Sequence, residues 1–141
     1  MKDALKTLTR IQKFQIDEQR KILADLMDKQ DNLKNQLDHL NQNFETEKAF
    51  AAKHVGMGNF GAYVKRYMQQ RDDLEKDIAS LEEKIVQEQD IMADMFKKQK
   101  TYEIVDEKRM KRLQKEEEQK MQKVLDEIGT NAYIKNHKKI N

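Results

Sequence analysis

Hydrophobic residues recur in steps of three and four along the first fifty positions, the spacing of one face of an α-helix. The stripe consists of Ile16, Leu23, Leu26, Leu33, Leu37, Leu40 and Phe44, with Gln19 and Gln30 at two of its positions. So narrow a stripe is typical of a coiled-coil seam. The pattern predicts a first helix over about residues 3–52 that needs a partner helix.

A second stripe of the same kind follows, at Phe60, Val64, Tyr67, Leu74, Ile78, Leu81, Ile85, Met92, Met95 and Tyr102. Apolar positions continue to Ile128, and Gly129 then has the character of a helix stop. We therefore expect a second helix over about residues 60–128. Residues 129–141 include Lys135, Lys138 and Lys139 without periodicity, which predicts a flexible basic tail.

Three of the four glycines, Gly56, Gly58 and Gly61, lie between the two stripes, and the chain has no proline. Glycine permits the positive φ angles of a sharp reversal, so a hinge is expected at about residues 53–60. A short connection favours antiparallel packing of the helices it joins. The predicted fold is all-α, a long antiparallel two-helix coiled-coil hairpin that forms a single domain over residues 1–128.

The second predicted helix is longer than the first. Pairing outward from the hinge brings the start of the first helix opposite a region near Lys111, and the remainder of the second helix forms a C-terminal overhang. This overhang carries an apolar strip, Met121, Val124, Leu125 and Ile128. An apolar strip left in water normally marks a binding surface, and the alternative is a solvated helix end.

The start of the first helix has a different pattern. Leu5, Leu8 and Ile11 lie on a line displaced from the main seam. The displacement predicts a register shift near Phe14, either a stutter in the pairing or a change of partner at this end.

Composition narrows the classes of function. The 141 residues are 37% hydrophobic and 38% charged, which is too polar for an ordinary globular core. The net charge is only +2, so nucleic-acid binding by charge alone is not expected. With no cysteine, no apolar run of membrane-spanning length and no apolar block of a secretion signal near Met1, we expect a cytoplasmic protein with at most peripheral membrane contact.

Candidate chemistry is sparse. Residues 56–61 match the dinucleotide motif G-x-G-x-x-G, but that motif functions after a buried strand, and the preceding residues have a helical pattern. His39, His54 and His137 are too far apart for metal-ligand spacing. A two-helix coil also offers almost no concave interior. We expect no enzyme activity, no cofactor and no metal.

One basic cluster allows two interpretations. Its members are Lys108, Arg109, Lys111 and Arg112. They would contact phosphate or an acidic protein surface, or they would form ion pairs along the helix with the neighbouring acidic residues Glu103, Asp106, Glu107 and Glu116. Ion pairing is the more ordinary explanation for such a mixture of charges.

Four segments carry a family resemblance: Leu5-x-x-Leu8, Phe60-x-x-Tyr63-x-x-x-Tyr67, the stretch from Tyr102-Glu103 to Glu107-Lys108-Arg109, and Glu118-Gln119-Lys120 followed by Leu125-Asp126-Glu127-Ile128. With them the chain resembles the FliJ family of flagellar export stalk proteins. The resemblance implies a component of the flagellar type III protein export apparatus. Such a stalk enters the hexameric export ATPase, promotes its assembly and activity, and links it to the export gate protein and export chaperones.

The resemblance also implies positions for these contacts. The ATPase-facing end would comprise Leu5, Leu8, Ile11, Met121, Leu125, Asp126, Glu127 and Ile128. The gate-facing surface would comprise Gln36, Leu40, Tyr67 and Leu74, although few aromatic residues lie in the hinge-proximal half of the first helix. The stalk would be a monomer on its own and would lie at the cytoplasmic face of the inner membrane when assembled. The alternative is a generic cytoplasmic coiled-coil scaffold or self-assembling adaptor.

Overall fold

The protein is described by a computed structural model that gives the backbone of residues 2–56 and 58–140 and the side chains of residues 4–56 and 58–137. Two helices make up this part of the chain, α1 (Lys2–Lys53) and α2 (Phe60–Ile140), and it contains no strand. The expected all-α hairpin of two long helices is confirmed.

Helix α1 ends and α2 begins for identifiable reasons. Gly56 and Gly58, which follow α1, have φ angles of 92° and 78°, in the left-handed region that favours glycine. Asn59 precedes α2, and its Oδ1 accepts a hydrogen bond of 3.2 Å from the backbone N–H of Ala62. An asparagine in this position satisfies one of the free donors at a helix N-terminus. The chain therefore reverses direction through residues 54–59.

Residues Arg10–Lys97 form one compact unit, in which α1 and α2 pack against each other as an antiparallel coiled coil. The seam side chains of α1 in this unit are buried or half-buried, in unbroken steps of three and four: Gln12, Ile16, Gln19, Leu23, Leu26, Gln30, Leu33, Leu37, Leu40 and Phe44. Every residue of the predicted second stripe in this unit is likewise buried or half-buried. Ile16, Leu23 and Ile85 are the buried hydrophobic residues of the seam.

The register of this pairing is shown by two hydrogen bonds across the seam. The side-chain amide of Gln12 donates to the carbonyl oxygen of Met95 at 2.7 Å, and that of Gln19 donates to the carbonyl oxygen of Glu88 at 3.0 Å. Between the two bonds the chain advances by seven residues on α1 and moves back by seven on α2. The helices therefore keep an antiparallel heptad register over this interval.

A second compact unit contains the start of α1, up to Thr9, and α2 from Lys98 onward. Leu5 is half-buried there and lines a groove together with residues 105–112 of α2. Beyond this groove α2 has no such cover, because every described side chain from Met110 to His137 is exposed. The longer helix therefore ends in an overhang whose side chains face solvent.

The end of α2 differs from the expectation. The prediction that the helix stops at Ile128, before Gly129, is wrong, because α2 continues to Ile140. A single glycine inside a helix costs only about 1 kcal/mol, which good helix formers on either side can offset. The rings of Tyr133 and His137, one turn apart, are in tilted contact and add a local interaction after the glycine. Of the expected tail, residues 130–140 are helical, and Asn141 lies outside the described residues.

The expected register shift near Phe14 is also wrong. The buried and half-buried positions of α1 continue upstream from Ile16 to Gln12, Thr9 and Leu5 in the same steps of four and three. Leu8 and Ile11, which suggested the shift, are 44% and 48% exposed. Polar residues occupy the seam here because their side chains find hydrogen-bond acceptors, as Thr9 does with the carbonyl oxygen of Leu5 at 2.9 Å.

Candidate partner-binding surfaces

The overhang of α2 carries a strip of exposed apolar side chains, called here the terminal strip: Met121, Val124, Leu125 and Ile128. Their exposures are 62%, 50%, 54% and 59%. Positions i, i+3, i+4 and i+7 lie on one face of a helix, and together they make a stripe wider than a two-helix seam. Apolar surface of this kind gains free energy when a partner covers it.

An acidic residue borders the terminal strip. Asp126 and Glu127 are exposed, and the Oδ1 atom of Asp126 accepts a hydrogen bond of 3.1 Å from the side-chain amide of Gln122. Because Asp126 follows Gln119 by seven residues, its carboxylate lies on the face of Gln119, opposite Met121, and Glu127 is the acidic residue at the edge of the strip. The arrangement suits a partner groove that is apolar at its centre and polar at its rim.

The N-terminal residues of the expected ATPase-facing end are divided between the two compact units. Leu5 lines a groove that reaches Arg112, nine residues before Met121, or about 13 Å along a helix. Leu8 is exposed in the same unit. Ile11 belongs to the other compact unit and is exposed there.

Two residues beyond Gly129 extend the apolar surface of the overhang and were missed by the sequence reasoning. Tyr133 and Ile134 are 62% and 47% exposed. The ring of Tyr133 lies 4.0 Å from that of His137, centroid to centroid. The spacing of an aromatic residue and a histidine four apart was the available signal for a continuing helix, but the glycine before it suggested a tail.

An aromatic cluster lies where the hairpin meets its connection. The rings of Phe44 and Tyr67 stack at 3.9 Å between centroids, and Phe60 and Tyr63 each lie 6.3 Å from Phe44. The hydroxyl of Tyr67 donates to Oδ1 of Asn41 at 2.6 Å. Stacked rings contribute beyond the area they bury, so this cluster fastens the two helices next to the reversal.

Arg71 continues the cluster away from the connection. Its guanidinium lies 5.6 Å from the ring centroid of Tyr67, a cation–π contact. Its Nη2 also lies 3.2 Å from Oδ1 of Asp72. The hydrogen bond to Asp72 raises the pKa of Arg71 above its ordinary value. A half-buried cation thus occupies a seam position between Tyr67 and Leu74.

Most of the expected gate-facing residues are in the seam itself. Leu40, Tyr67 and Leu74 are half-buried in the coiled coil, whereas Gln36 is exposed. The first three therefore contribute to helix pairing. Gln36 is the member of this set whose side chain is fully available to a partner.

Three glutamines are buried between the helices, and the sequence pattern placed only Gln19 and Gln30 at seam positions. Gln12, Gln19 and Gln30 are 4%, 4% and 7% exposed. Gln30 donates to Oε2 of Glu82 at 2.7 Å, and Gln19 donates to Oε2 of Glu88 as well as to its carbonyl oxygen. Gln19 and Gln30 had looked like gaps in the stripe. The structure shows that each is a hydrogen-bonded contact between the helices.

The basic cluster of α2 contributes to the groove beside Leu5, called here the basic groove, which is lined by Leu5, Val105, Lys108, Arg109 and Arg112. Nη2 of Arg109 lies 3.1 Å from Oδ1 of Asp106. Among the described residues, no ion pair involves Lys108, Lys111 or Arg112. The expected ion pairing is therefore correct for Arg109 and wrong for the other three cations.

The remaining sequence features are the glycine motif, the potential metal ligands and the apolar character of the helices. The glycine motif of residues 56–61 begins in the connection after α1 and ends in the first turn of α2, and Met57 is outside the described residues. No cluster of three or more potential metal ligands occurs among the residues whose positions are described. In the same part of the chain, no helix has the length and apolar character needed to cross a membrane.

The antiparallel pairing of two long helices and the exposed overhang place this chain in the class of coiled-coil hairpin proteins. A family sequence model described as "Flagellar FliJ protein" matches residues 1–138, and the chain belongs to this family. No curated protein and no solved structure matches the chain. Members of this family are components of the flagellar export machinery and interact with other parts of that machinery. The family is not a known enzyme family.

Proposed function

We propose that this chain is the stalk of the flagellar export ATPase: the overhang of α2 enters the ATPase hexamer and promotes its assembly and activity. The observation that carries the proposal is the terminal strip, whose four apolar side chains are all at least half exposed. An isolated helix gains nothing from such a face in water, whereas a partner that covers it gains hydrophobic contact.

In this mechanism the chain acts by binding some subunit interfaces of the ATPase ring more tightly than others. It carries out no covalent chemistry. A single helix end in a six-membered ring cannot contact all subunits equally, so it binds some interfaces more tightly than others. Differential binding shifts the equilibrium toward the assembled ring and toward the preferred subunit conformations. Met121, Leu125 and Ile128 would supply apolar contact, and Glu127, at the edge of the strip, would supply polar contact. Asp126 was expected in the same contact, but it shares the face of Gln119 and would lie outside it.

The N-terminal residues of the proposed ATPase-facing end, Leu5, Leu8 and Ile11, would make a separate contact. Leu8 and Ile11 are available because they are exposed, whereas Leu5 is half-buried in the basic groove.

The same stalk would link the ATPase to the export gate protein and to export chaperones. Gln36 is the exposed residue of the proposed gate-facing set, while Leu40, Tyr67 and Leu74 would act by holding the coiled coil in shape. A Gln36→Lys variant should therefore weaken gate binding without lowering the thermal stability of the hairpin. Equal gate affinity of this variant and the wild type would exclude Gln36 from the contact.

The terminal strip is tested with the double variant Leu125→Asp/Ile128→Asp. We expect it to lose stimulation of the export ATPase while retaining nearly all of its helicity by circular dichroism. The matched control, Gln119→Asp/Thr130→Asp, adds the same two charges to exposed positions on the opposite side of α2. The control should stimulate normally. Normal stimulation by the strip variant would exclude the overhang as the ATPase contact.

A self-assembling scaffold would cover the same strip with a second copy of the chain. Light scattering separates the two functions, because the stalk is expected at the monomer mass of 16.8 kDa. A concentration-dependent mass of twice that value in the wild type, reduced to the monomer by Leu125→Asp/Ile128→Asp, would favour the scaffold instead.

A further inference from the structure

We propose that the basic groove binds the phosphate group of an organic phosphate monoester. The groove has a volume of about 320 Å³ and is lined by Leu5, Val105, Lys108, Arg109 and Arg112, all in one compact unit. Among the residues whose side chains are described, no acidic one lines it. Three cations therefore face one cavity of a size that accepts a small molecule.

Two of the three cations that line the groove have no ion-pair partner among the described residues. Lys108 and Arg112 make no ion pair in the described structure and are exposed, so their ammonium and guanidinium groups can reach a ligand. Lys108 and Arg112 are four residues apart, which places them one above the other on the same face of α2. This spacing lets both cations contact the same anion.

Arg109 provides a second and independent indication. Its side chain is only 19% exposed, and its Nε atom is buried without a hydrogen-bond partner. A buried donor without an acceptor is unfavourable in the free protein. A change of side-chain rotamer that turns Nε–H toward the groove would let an anion relieve this cost. Arginine presents its donors in a fork that suits the oxygen atoms of phosphate.

Charge selects the ligand class. The described lining of the groove holds three positive charges, and Asp106 neutralises one of them through Arg109, which leaves about two. A phosphate monoester carries a charge of about −1.5 to −2 at neutral pH, whereas a single carboxylate carries −1. The monoester is the better match.

The two apolar side chains indicate the rest of the ligand. Leu5 and Val105 line the same groove as the cations, and Val105 is 48% exposed. Inorganic phosphate would leave this surface in water, whereas an organic group attached to the phosphate would cover it. Two sources share this chemistry, a soluble organic phosphate and phosphatidic acid in a membrane.

The test uses the full-length protein and phenyl phosphate in isothermal titration calorimetry. We expect saturable binding, with a dissociation constant on the order of 1 mM or below. Lys108→Gln/Arg109→Gln should weaken binding at least about tenfold, because each charge-assisted hydrogen bond is worth more than a neutral one. The control Lys120→Gln/Lys123→Gln removes the same charge outside the groove and should bind normally. Wild-type protein that does not bind, or equal loss in both variants, would overturn the proposal.

The apolar part is tested separately with Leu5→Ala. This variant should weaken phenyl phosphate severalfold and leave the affinity for inorganic phosphate unchanged. Equal affinities of wild type and variant for phenyl phosphate would overturn the apolar contact. Vesicle flotation distinguishes the two sources: with phosphatidic acid in phosphatidylcholine vesicles, groove-dependent co-flotation assigns the membrane source, and calorimetric binding without flotation assigns the soluble one.

Discussion

The side-chain amide of Gln19 on α1 donates a hydrogen bond of 3.0 Å to the backbone carbonyl of Glu88 on α2. A carbonyl oxygen has two lone pairs, so Glu88 can accept this bond while it continues to serve the helix. The contact requires Gln19 to lie at one particular place along the partner helix. A buried polar residue of this kind specifies the register of a coiled coil, whereas leucine at the same position would pack in more than one way.

Replacing Gln19 tests this contribution. Gln19→Ala removes two hydrogen bonds and the packing of a buried side chain, so it should lower the free energy of unfolding by about 1–3 kcal/mol. The measurement is urea unfolding followed by circular dichroism. Gln15→Ala, one turn earlier and exposed, should change stability by less than about 0.5 kcal/mol. Equal effects of both substitutions would mean that the buried amide adds nothing.

Phe44 tests the aromatic cluster. Phe44→Ala should destabilise the hairpin by about 2–4 kcal/mol, because it removes the ring that Phe60, Tyr63 and Tyr67 stack on. The matched control is Phe14→Ala, since Phe14 is on the same helix and is 64% exposed. The control should leave the melting temperature almost unchanged. A larger loss at Phe14 than at Phe44 would contradict this assignment of the seam.

Gly56 tests the reversal between the helices. Its φ of 92° is strained for any residue with a Cβ atom, so Gly56→Ala should destabilise the hairpin by about 1–2 kcal/mol. Gly61→Ala is the control, because Gly61 lies in the first turn of α2 and an added Cβ would meet only Asn59 Oδ1 at an ordinary 3.5 Å. The control should be neutral or slightly stabilising in thermal unfolding. A stability ranking with Gly61→Ala below Gly56→Ala would refute the positive-φ turn.

Gly129 tests the continuity of α2. It lies inside the helix with no atom within 4 Å of an added Cβ, so alanine fits without a clash. Gly129→Ala should stabilise the local helix by about 0.5–1 kcal/mol. Amide hydrogen exchange of residues 126–137 should slow accordingly, while exchange in the coiled coil of residues 10–97 stays the same. Faster exchange around residue 129 in the variant would show that the glycine ends the helix.

The sequence predicted the hairpin because both seams have a strong heptad pattern, from Ile16 to Phe44 and from Phe60 to Tyr102. It failed where a polar residue occupies the seam. Thr9 and Gln12 have no hydrophobic signal, so the nearby leucine and isoleucine at positions 8 and 11 suggested a false register shift. Hydrogen bonds to carbonyl oxygens, which sequence alone does not show, stabilise these polar positions.

Neither the end of α2 nor the basic groove could be predicted from the sequence, for related reasons. A lone glycine signals a helix end only statistically, and the cost at Gly129 is small enough for its neighbours to overcome. Which basic side chains of the groove remain unpaired depends on which acidic side chain is close enough to form an ion pair with each of them. Asp106 reaches Arg109, and no acidic side chain in the described part of the chain forms an ion pair with Lys108 or Arg112. The apolar terminal strip, by contrast, was predictable from spacing alone.

The most direct test of the stalk account is site-specific photocrosslinking from the overhang. A photoreactive phenylalanine analogue placed at Leu125, in the terminal strip, should crosslink to the export ATPase when the complex is assembled. The same analogue at Gln119, exposed on the other side of α2, should crosslink much less. A strong ATPase adduct from position 125 and a weak one from position 119 is the predicted result. Equal yields from the two positions, or no adduct from position 125, would contradict the account.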